Sequence, residues 1–321
     1  MNPVRKNHMR DKNISVALEH KGELSNGVKI TRLSNGLKVL SPAKINLFLE
    51  VLGKRQDGFH EIESIMQTVS LFDTLYLHPI KSGIKVITNH PELSSGRDNL
   101  VYQAADLIKK EYGVKKGIRI VLEKRIPIGG GLGGGSSNAA AVLLGLNCLW
   151  NLYLSKEELS LLGARLGSDV PFFIYGQTAI VKGRGEIVLP LRVKETFHYI
   201  LLKPPISIPT KNIYKNIRLS LTKPAINGIM PIINKLLRKQ AGYKEIQQLM
   251  YNRLENVAMK LYPVLRDTHQ AFRNISNSGI LLSGSGSTIF KLCGSRKEAE
   301  TLAAILSRIN LGQSFIVNSQ N

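Results

Sequence analysis

The alternation of apolar and polar positions predicts a chain of mixed strands and helices. Val28 to Leu33 and Gly36 to Leu40 form a hairpin pattern across Ser34-Asn35-Gly36. From Ser41 to Leu49, period-two spacing puts Lys44 and Asn46 on one strand face and Ile45, Leu47 and Leu49 on the other. Thr68 to His78, Gly83 to Thr88 and Ile118 to Leu122 read as further strands. Asp98-Asn99-Leu100 opens a helix to about Tyr112, with Asp98 or its neighbour as cap. An apolar run predicts a helix ending at Trp150, and Ser155 with Glu157 and Glu158 makes a capping-box start for the next. Phe173 to Lys182 and Phe197 to Leu202 are predicted strands, the first ending in a Gly183-Arg184-Gly185 turn. Lys215 to Gln270 is predicted mostly helical, punctuated at Pro224, Gly228, Pro231, Gly242 and Pro263. Apolar strands around a glycine-serine turn (Gly279 to Leu292), a helix (Ser295 to Ile309) and a strand (Ser314 to Val317) close the chain.

One stretch breaks every periodicity. Six of the seven residues from Gly129 to Gly135 are glycine, between a predicted strand and a predicted helix. Glycine allows positive φ and close approach of backbone to a ligand. The helix behind directs unpaired N–H groups and its positive dipole end at the loop. That combination binds phosphate. Ser136 and Ser137 add hydroxyls for phosphate oxygens or a magnesium ion. No Gly-Lys-Ser or Gly-Lys-Thr is present, which excludes a Walker loop. The dinucleotide spacing is met by Gly129, Gly131 and Gly134, but the acidic residues about 20 positions on, Glu157 and Glu158, open a helix rather than end a strand.

Composition narrows the class. A chain of 321 residues allows about two domains, 43% hydrophobic content supports real cores, and no apolar run reaches membrane-spanning length. Cys148 and Cys293 sit in apolar settings without metal-ligand spacing, as expected of free thiols in a reducing, cytoplasmic setting. The formal net charge is +21, and Lys203 to Lys244 holds nine basic residues and no acidic one. The excess is spread along the chain without aromatic-rich repeats, so it reads as background that also steers anionic nucleotides; nucleic acid is not the expected partner. Residues 1–37 are expected to be a disordered extension; no apolar region follows Arg5, Lys6, Arg10 and Lys12, as a secretory signal would need, and Met9 is a second possible start.

The glycine stretch with its flanks, Pro127 through Gly129, Gly130, Gly131, Leu132, Gly133, Gly134, Gly135, Ser136, Ser137 and Asn138 to the following alanines, resembles the second motif of the GHMP small-molecule kinases. Pro42-Ala43-Lys44-Ile45-Asn46-Leu47-Phe48-Leu49 resembles the first motif, and Ser283-Gly284-Ser285-Gly286-Ser287 the third, a second glycine loop beside the phosphates. Gly167-Ser168-Asp169-Val170-Pro171 is similar to the family's Gly-Ala-Asp-Val-Pro segment, with serine in place of alanine.

The resemblance covers about Lys38 onward and implies an α+β fold of two lobes: an N-terminal ribosomal-protein-like β-rich domain, residues 38–203, and a C-terminal ferredoxin-like domain, residues 204–321. It implies ATP as phosphoryl donor, with Mg2+ carried by the nucleotide and its protein ligands unknown. Asp169 would be the catalytic base and Lys44 would reach the reacting hydroxyl, with Asn46 in the substrate site. Asn99 would lie near adenine and Lys124 near the nucleotide. The long glycine motif is most similar to that of the members whose acceptor is cytidine-diphosphate-linked, in isoprenoid-precursor synthesis. For such an acceptor, Phe59 (usually tyrosine) and Tyr214 (usually phenylalanine) would clamp the cytosine, His60 would bond its edge and Thr210 would lie beside the substrate. Tyr251-Asn252-Arg253-Leu254-Glu255 resembles a family element with arginine in place of aspartate, and reads as structural. The alternatives are a family member acting on homoserine, a mevalonate-type acceptor or a sugar, and a basic RNA-binding protein. A monomer or homodimer is expected.

Overall fold

The computed structural model describes residues 27–219, 228–238, 242–276 and 278–320. Residues 1–26, with the basic leader and Met9, and the break expected at Pro224 lie outside them. In chain order the first lobe holds β1 (Lys29–Leu33), β2 (Gly36–Lys54), β3 (His60–Ile80), β4 (Ile84–Thr88), α1 (Leu100–Glu111), β5 (Gly117–Glu123), α2 (Gly134–Trp150), α3 (Lys156–Ala164), α4 (Val170–Tyr175), β6 (Thr178–Gly183) and β7 (Ile187–Leu191). There follow β8 (His198–Lys203), α5 (Thr210–Asn216), α6 (Met230–Leu237), α7 (Tyr243–Leu249), β9 (Tyr251–Asn252), α8 (Glu255–Leu261), α9 (Pro263–Ser276), β10 (Ile280–Leu282), β11 (Ile289–Cys293), α10 (Arg296–Ile309) and β12 (Gln313–Asn318).

The spine is the long antiparallel pair β2 and β3. The free edge of β3 is divided: Ile62–Gln67 pairs with β6, and Thr74–Ile80 pairs with β5. Register shifts at Pro42/Ala43 and Asn46/Phe48 let one strand run through a proline and bend. They also break the expected face parity beyond Asn46. Ile45, Leu47 and Phe48 enter one core cluster and Leu49 another. Residues 28–37, counted within the expected extension, are part of the lobe. Val28 is buried in the core of the first lobe, and β1 pairs with β2 from Lys29↔Leu40 to Leu33↔Gly36.

Helices α1 to α4 cover one face of the first sheet, where Leu75, Leu77, Ile118 and Ile120 meet Ala104, Ala140, Leu143 and Phe173. The second sheet has the order β10-β11-β8-β12 and draws on both sides of the division expected at 203/204. Its period-two alternation feeds two cores. Tyr199, Leu201, Phe290 and Leu292 pack with Ile45, Leu47 and Ile65 of the spine, while Ile200, Leu202 and Ile289 pack with Leu265, Phe272 and Leu302 of α9 and α10. The first of these cores joins the lobes.

Two local expectations change. Phe173 to Tyr175 is the end of α4, and the strand begins at Thr178. Short apolar runs carry no period that separates helix from strand. The predicted helical stretch after Lys215 is interrupted by β9, which pairs in parallel with Phe48 and Leu49.

Candidate active site

The glycine loop becomes a site because α2 starts inside it. Gly133 caps α2 at φ 70°, and Gly134 and Gly135 form its first turn. The third-motif loop between β10 and β11 lies directly against it. Ser283 Oγ donates to Gly131 O at 3.0 Å and the Thr288 N–H donates to Gly130 O at 3.1 Å. A Cβ on Gly131, φ 71°, would stand 2.2 Å from the Ser283 carbonyl oxygen, so contact between the loops requires glycine there.

Lys44 emerges from β2 beneath both loops. Its backbone N–H donates to Leu132 O at 3.0 Å, and its ammonium donates to Asn46 Oδ1 at 2.7 Å and lies 3.9 Å from Asp169 Oδ2. The predicted strand parity thus delivers the lysine and the asparagine together. The Lys44 side chain is 5% exposed and that of Asp169 31%. Burial pushes the Lys44 pKa below the ordinary lysine value, and the Asp169 charge pushes it back up. Asp169 holds the N-cap position of α4, yet its side chain makes no capping hydrogen bond. The carboxylate is therefore free for the cleft.

A cavity of about 1030 Å³ runs from these groups to an aromatic rim. Gly129 to Ser136, Lys44, Asn46, Asp169, Gly284 and Ser285 line one end; Phe59, His60, Thr210 and Tyr214 line the other. Thr210 and Tyr214 lie one turn apart on α5, and Thr210 Oγ1 is 2.8 Å from Ser285 Oγ. His60 and Tyr214 place their ring centroids 5.1 Å apart. Burial, then Lys54, lowers the His60 pKa, so its imidazole is neutral near pH 7 and can both donate and accept. Burial, then the Asp169 charge, holds Tyr214 as a phenol. Phe59 is 46% exposed at the rim.

Other expected residues lie elsewhere. Asn99 caps α1: its Oδ1 accepts from the Val101 N–H and its Nδ2 donates to Ser94 O, and Leu100 is the neighbour that lines the cleft. Lys124 is neither a solvated strand end nor a cleft residue. It forms a buried ion pair with Asp73 under the start of α2. Ser137 and Asn138 turn inward to Ser41, at 2.6 and 2.9 Å. Ser136 is the hydroxyl that faces the cavity. Pro127 precedes the loop without lining the cavity, while Gly286 at φ 85° packs against Leu282. Asn252, read as structural, donates to the carbonyls of Leu282 and Gly284 and so supports the third-motif loop.

Sequence reasoning missed Asp73 and the cations Lys54, Arg184, Lys211 and Lys215 around the cavity. Lys211 and Lys215 had a signal, the same one-turn spacing as Thr210 and Tyr214. Among the described residues no cluster of His, Cys, Asp or Glu could hold a metal ion, and no helix is long and apolar enough to cross a membrane.

Two glycine loops, a helix N-terminus and a lysine–aspartate pair in one cavity define a phosphotransferase site for small molecules. Residues 99–177 match the GHMP kinases N terminal domain and residues 233–310 the GHMP kinases C terminal domain. The chain belongs to the GHMP kinase family. It is 43% identical over 258 residues to 4-diphosphocytidyl-2-C-methyl-D-erythritol kinase of Bacillus cereus (strain B4264), covering 80% of this chain and 88% of that one. It is 44% identical over 253 residues to the enzyme of the same name from Shouchella clausii (strain KSM-K16), covering 78% and 84%. A crystal structure of 4-(cytidine 5'-diphospho)-2C-methyl-D-erythritol kinase superposes with a TM-score of 0.74 at 35% identity, covering 88% of this chain and 99% of that one. Homoserine kinase from Cytophaga hutchinsonii, at 22% identity and a TM-score of 0.70, shares the fold.

Proposed function

We propose that this protein transfers the γ-phosphoryl group of ATP to the 2-hydroxyl of 4-diphosphocytidyl-2-C-methyl-D-erythritol, a step toward isoprenoid precursors. The observation that carries the reading is the single cavity, in which the Lys44–Asp169 pair lies between the glycine loops and the Phe59–His60–Tyr214 rim. The names of the relatives at 43 and 44% identity support the acceptor. Homoserine, mevalonate-type acceptors and sugars have no base for that rim to hold.

In this mechanism the acceptor oxygen attacks the γ-phosphorus and a new O–P bond forms. The bond from the γ-phosphorus to the β,γ-bridging oxygen breaks, and ADP leaves with that electron pair. The hydroxyl proton passes to the Asp169 carboxylate. The Lys44 ammonium, 3.9 Å from the Asp169 carboxylate, stabilises charge on the transferring group, and Asn46 fixes the lysine. The α2 N-terminus and the loop N–H groups hold the phosphates. Ser136 and Asp169 line the cavity where a magnesium ion carried by ATP would be met, and such an ion would supply neutralisation of phosphate charge.

The test is turnover with the cytidine-diphosphate acceptor and with the same acceptor lacking cytosine, for wild type and Asp169→Asn. Base-dependent turnover that falls by about 10²- to 10⁴-fold in the mutant is expected. Turnover indifferent to cytosine would overturn the acceptor assignment.

A further inference from the structure

The turn between β6 and β7 was expected only to reverse the chain, yet it sends one side chain into the cleft. The Arg184 guanidinium carbon lies 4.8 Å from the centroid of the Phe59 ring. Its Nη2 donates at 3.0 Å to the carbonyl of Ala164, the last residue of α3, where a cation meets the negative end of the helix. Its backbone N–H is held at 2.6 Å by the Glu186 carboxylate. Both flanking positions require glycine. A Cβ on Gly183 would stand 2.5 Å from that carboxylate, and one on Gly185, φ 125°, would stand 2.8 Å from Ser168 O. Arg184 is thus fixed at its backbone, at its guanidinium and against a ring.

Phe59 needs such support. It follows the Asp57-Gly58 turn and is 46% exposed, and only its backbone is otherwise held, by its N–H donating to Asp57 Oδ1 at 3.1 Å and its carbonyl accepting from the Arg55 N–H at 2.8 Å. An exposed phenyl ring on a turn rotates freely unless something packs on it. The guanidinium supplies that contact through the ring's negative face. It leaves the opposite face for a planar group. The other guanidinium N–H groups make no hydrogen bond among the described residues, the Asp57 carboxylate lies within reach of the Arg184 charge, and Arg184 borders the same cavity as Ser168 and Asp169.

We propose that Arg184 determines acceptor specificity by fixing Phe59 as the base platform and by presenting its free N–H groups to the acceptor's diphosphate. The proposal rests on the function proposed above and deepens it. It explains how phenylalanine serves at a position expected to hold tyrosine: a ring without a hydroxyl to anchor it is anchored on its face. A lysine would not replace the arginine, because a point charge neither stacks flat on a ring nor offers a second donor to phosphate.

The experiment measures KM and kcat of wild type, Arg184→Ala and Arg184→Lys for ATP, for the cytidine-diphosphate acceptor and for the acceptor lacking cytosine. We expect Arg184→Ala to raise the KM for the full acceptor about tenfold and Arg184→Lys about threefold to fivefold. The KM for ATP should stay within twofold. The preference for the acceptor with cytosine should shrink in both variants. An unchanged acceptor KM in the alanine variant overturns the proposal, as does an equal rise in the ATP and acceptor KM values, which would mark a general loss of structure. Arg184→Lys keeps the charge and the stem, so it carries the test if the alanine variant does not fold. A wild type that ignores the acceptor would instead defeat the functional reading itself.

Discussion

Asp73 is the residue whose loss the glycine loop should feel most, although it never touches the cavity. Its side chain is fully buried and that of Lys124 is 4% exposed. Oδ2 meets the Lys124 ammonium, while Oδ1 accepts from the backbone N–H groups of Arg125 and Ile126 at 2.7 and 2.9 Å. Asp73→Ala therefore strands a buried ammonium, which costs about 3–5 kcal/mol. It also orphans two N–H groups at about 1–3 kcal/mol each. Some of these losses overlap as water enters, so a total of about 4–8 kcal/mol is expected. That is a large share of the roughly 5–15 kcal/mol that holds a typical protein folded. The double variant Asp73→Asn with Lys124→Met removes both charges and keeps an oxygen for the two N–H groups. It should cost no more than about 2 kcal/mol. Urea titration followed by circular dichroism measures both, with an unchanged slope identifying a stability effect. Because Arg125 and Ile126 lead into the glycine loop, the single variant should also raise the KM for ATP. A loss below about 1 kcal/mol for Asp73→Ala, or a double variant as unstable as the single, would refute the reasoning.

Two other perturbations test separate parts of the site. Gly284→Ala puts a methyl 3.2 Å from the Lys44 ammonium at a residue with φ 57°; kcat should fall at least about tenfold with a stability loss near 1 kcal/mol, whereas Gly113→Ala, with positive φ but open space and away from the cavity, should lose stability without losing kcat. Unchanged kcat in Gly284→Ala would disconnect that loop from Lys44. Behind the loop, burial pushes Glu255 up to about 7 and His269 down to about 4, with Arg273 lowering both. The 3.8 Å contact between them is therefore not an ion pair at neutral pH. From about pH 4.5 to 7 folded Glu255 retains a proton that the unfolded chain releases, so its contribution to stability falls as pH rises. From about pH 4 to 6.5 unfolded His269 binds a proton that the folded one refuses, so its contribution rises. The slopes oppose. Glu255→Gln should unmask the histidine, and its stability relative to wild type should improve between pH 4.5 and pH 7.5, by about 3 kcal/mol at most. Equal differences at the two pH values would show that Glu255 ionises normally.

The parts of the site legible in the sequence are those whose causes are local. The capping box forms as expected, with Ser155 Oγ accepting from the Glu158 N–H. Lys44 and Asn46 share a face because strand parity survives between them, and it fails two residues later, where a bulge intervenes. Non-local facts were not legible. Lys124 showed no sign of Asp73, 51 positions away, and Arg184 no sign of Phe59. Lys44 and Asp169, 125 positions apart, were paired by family resemblance alone. Ser136 and Ser137 looked alike in sequence. The pitch of a helix beginning at Gly134 sends one into the cavity and the other under Ser41.

The bonds that tie the two glycine loops together also decide where the molecule can breathe. Pulling the lobes apart at the phosphate end would strip partners from the carbonyls of Gly130 and Gly131 and open the core shared by the spine and the second sheet. That end is riveted shut. At the opposite end of the cavity α5, seven residues long, stands across from the Phe59 turn. The Lys44–Asp169 pair proposed as catalytic lies on the riveted side, so movement of α5 and of the rings it faces would leave that pair's geometry unchanged.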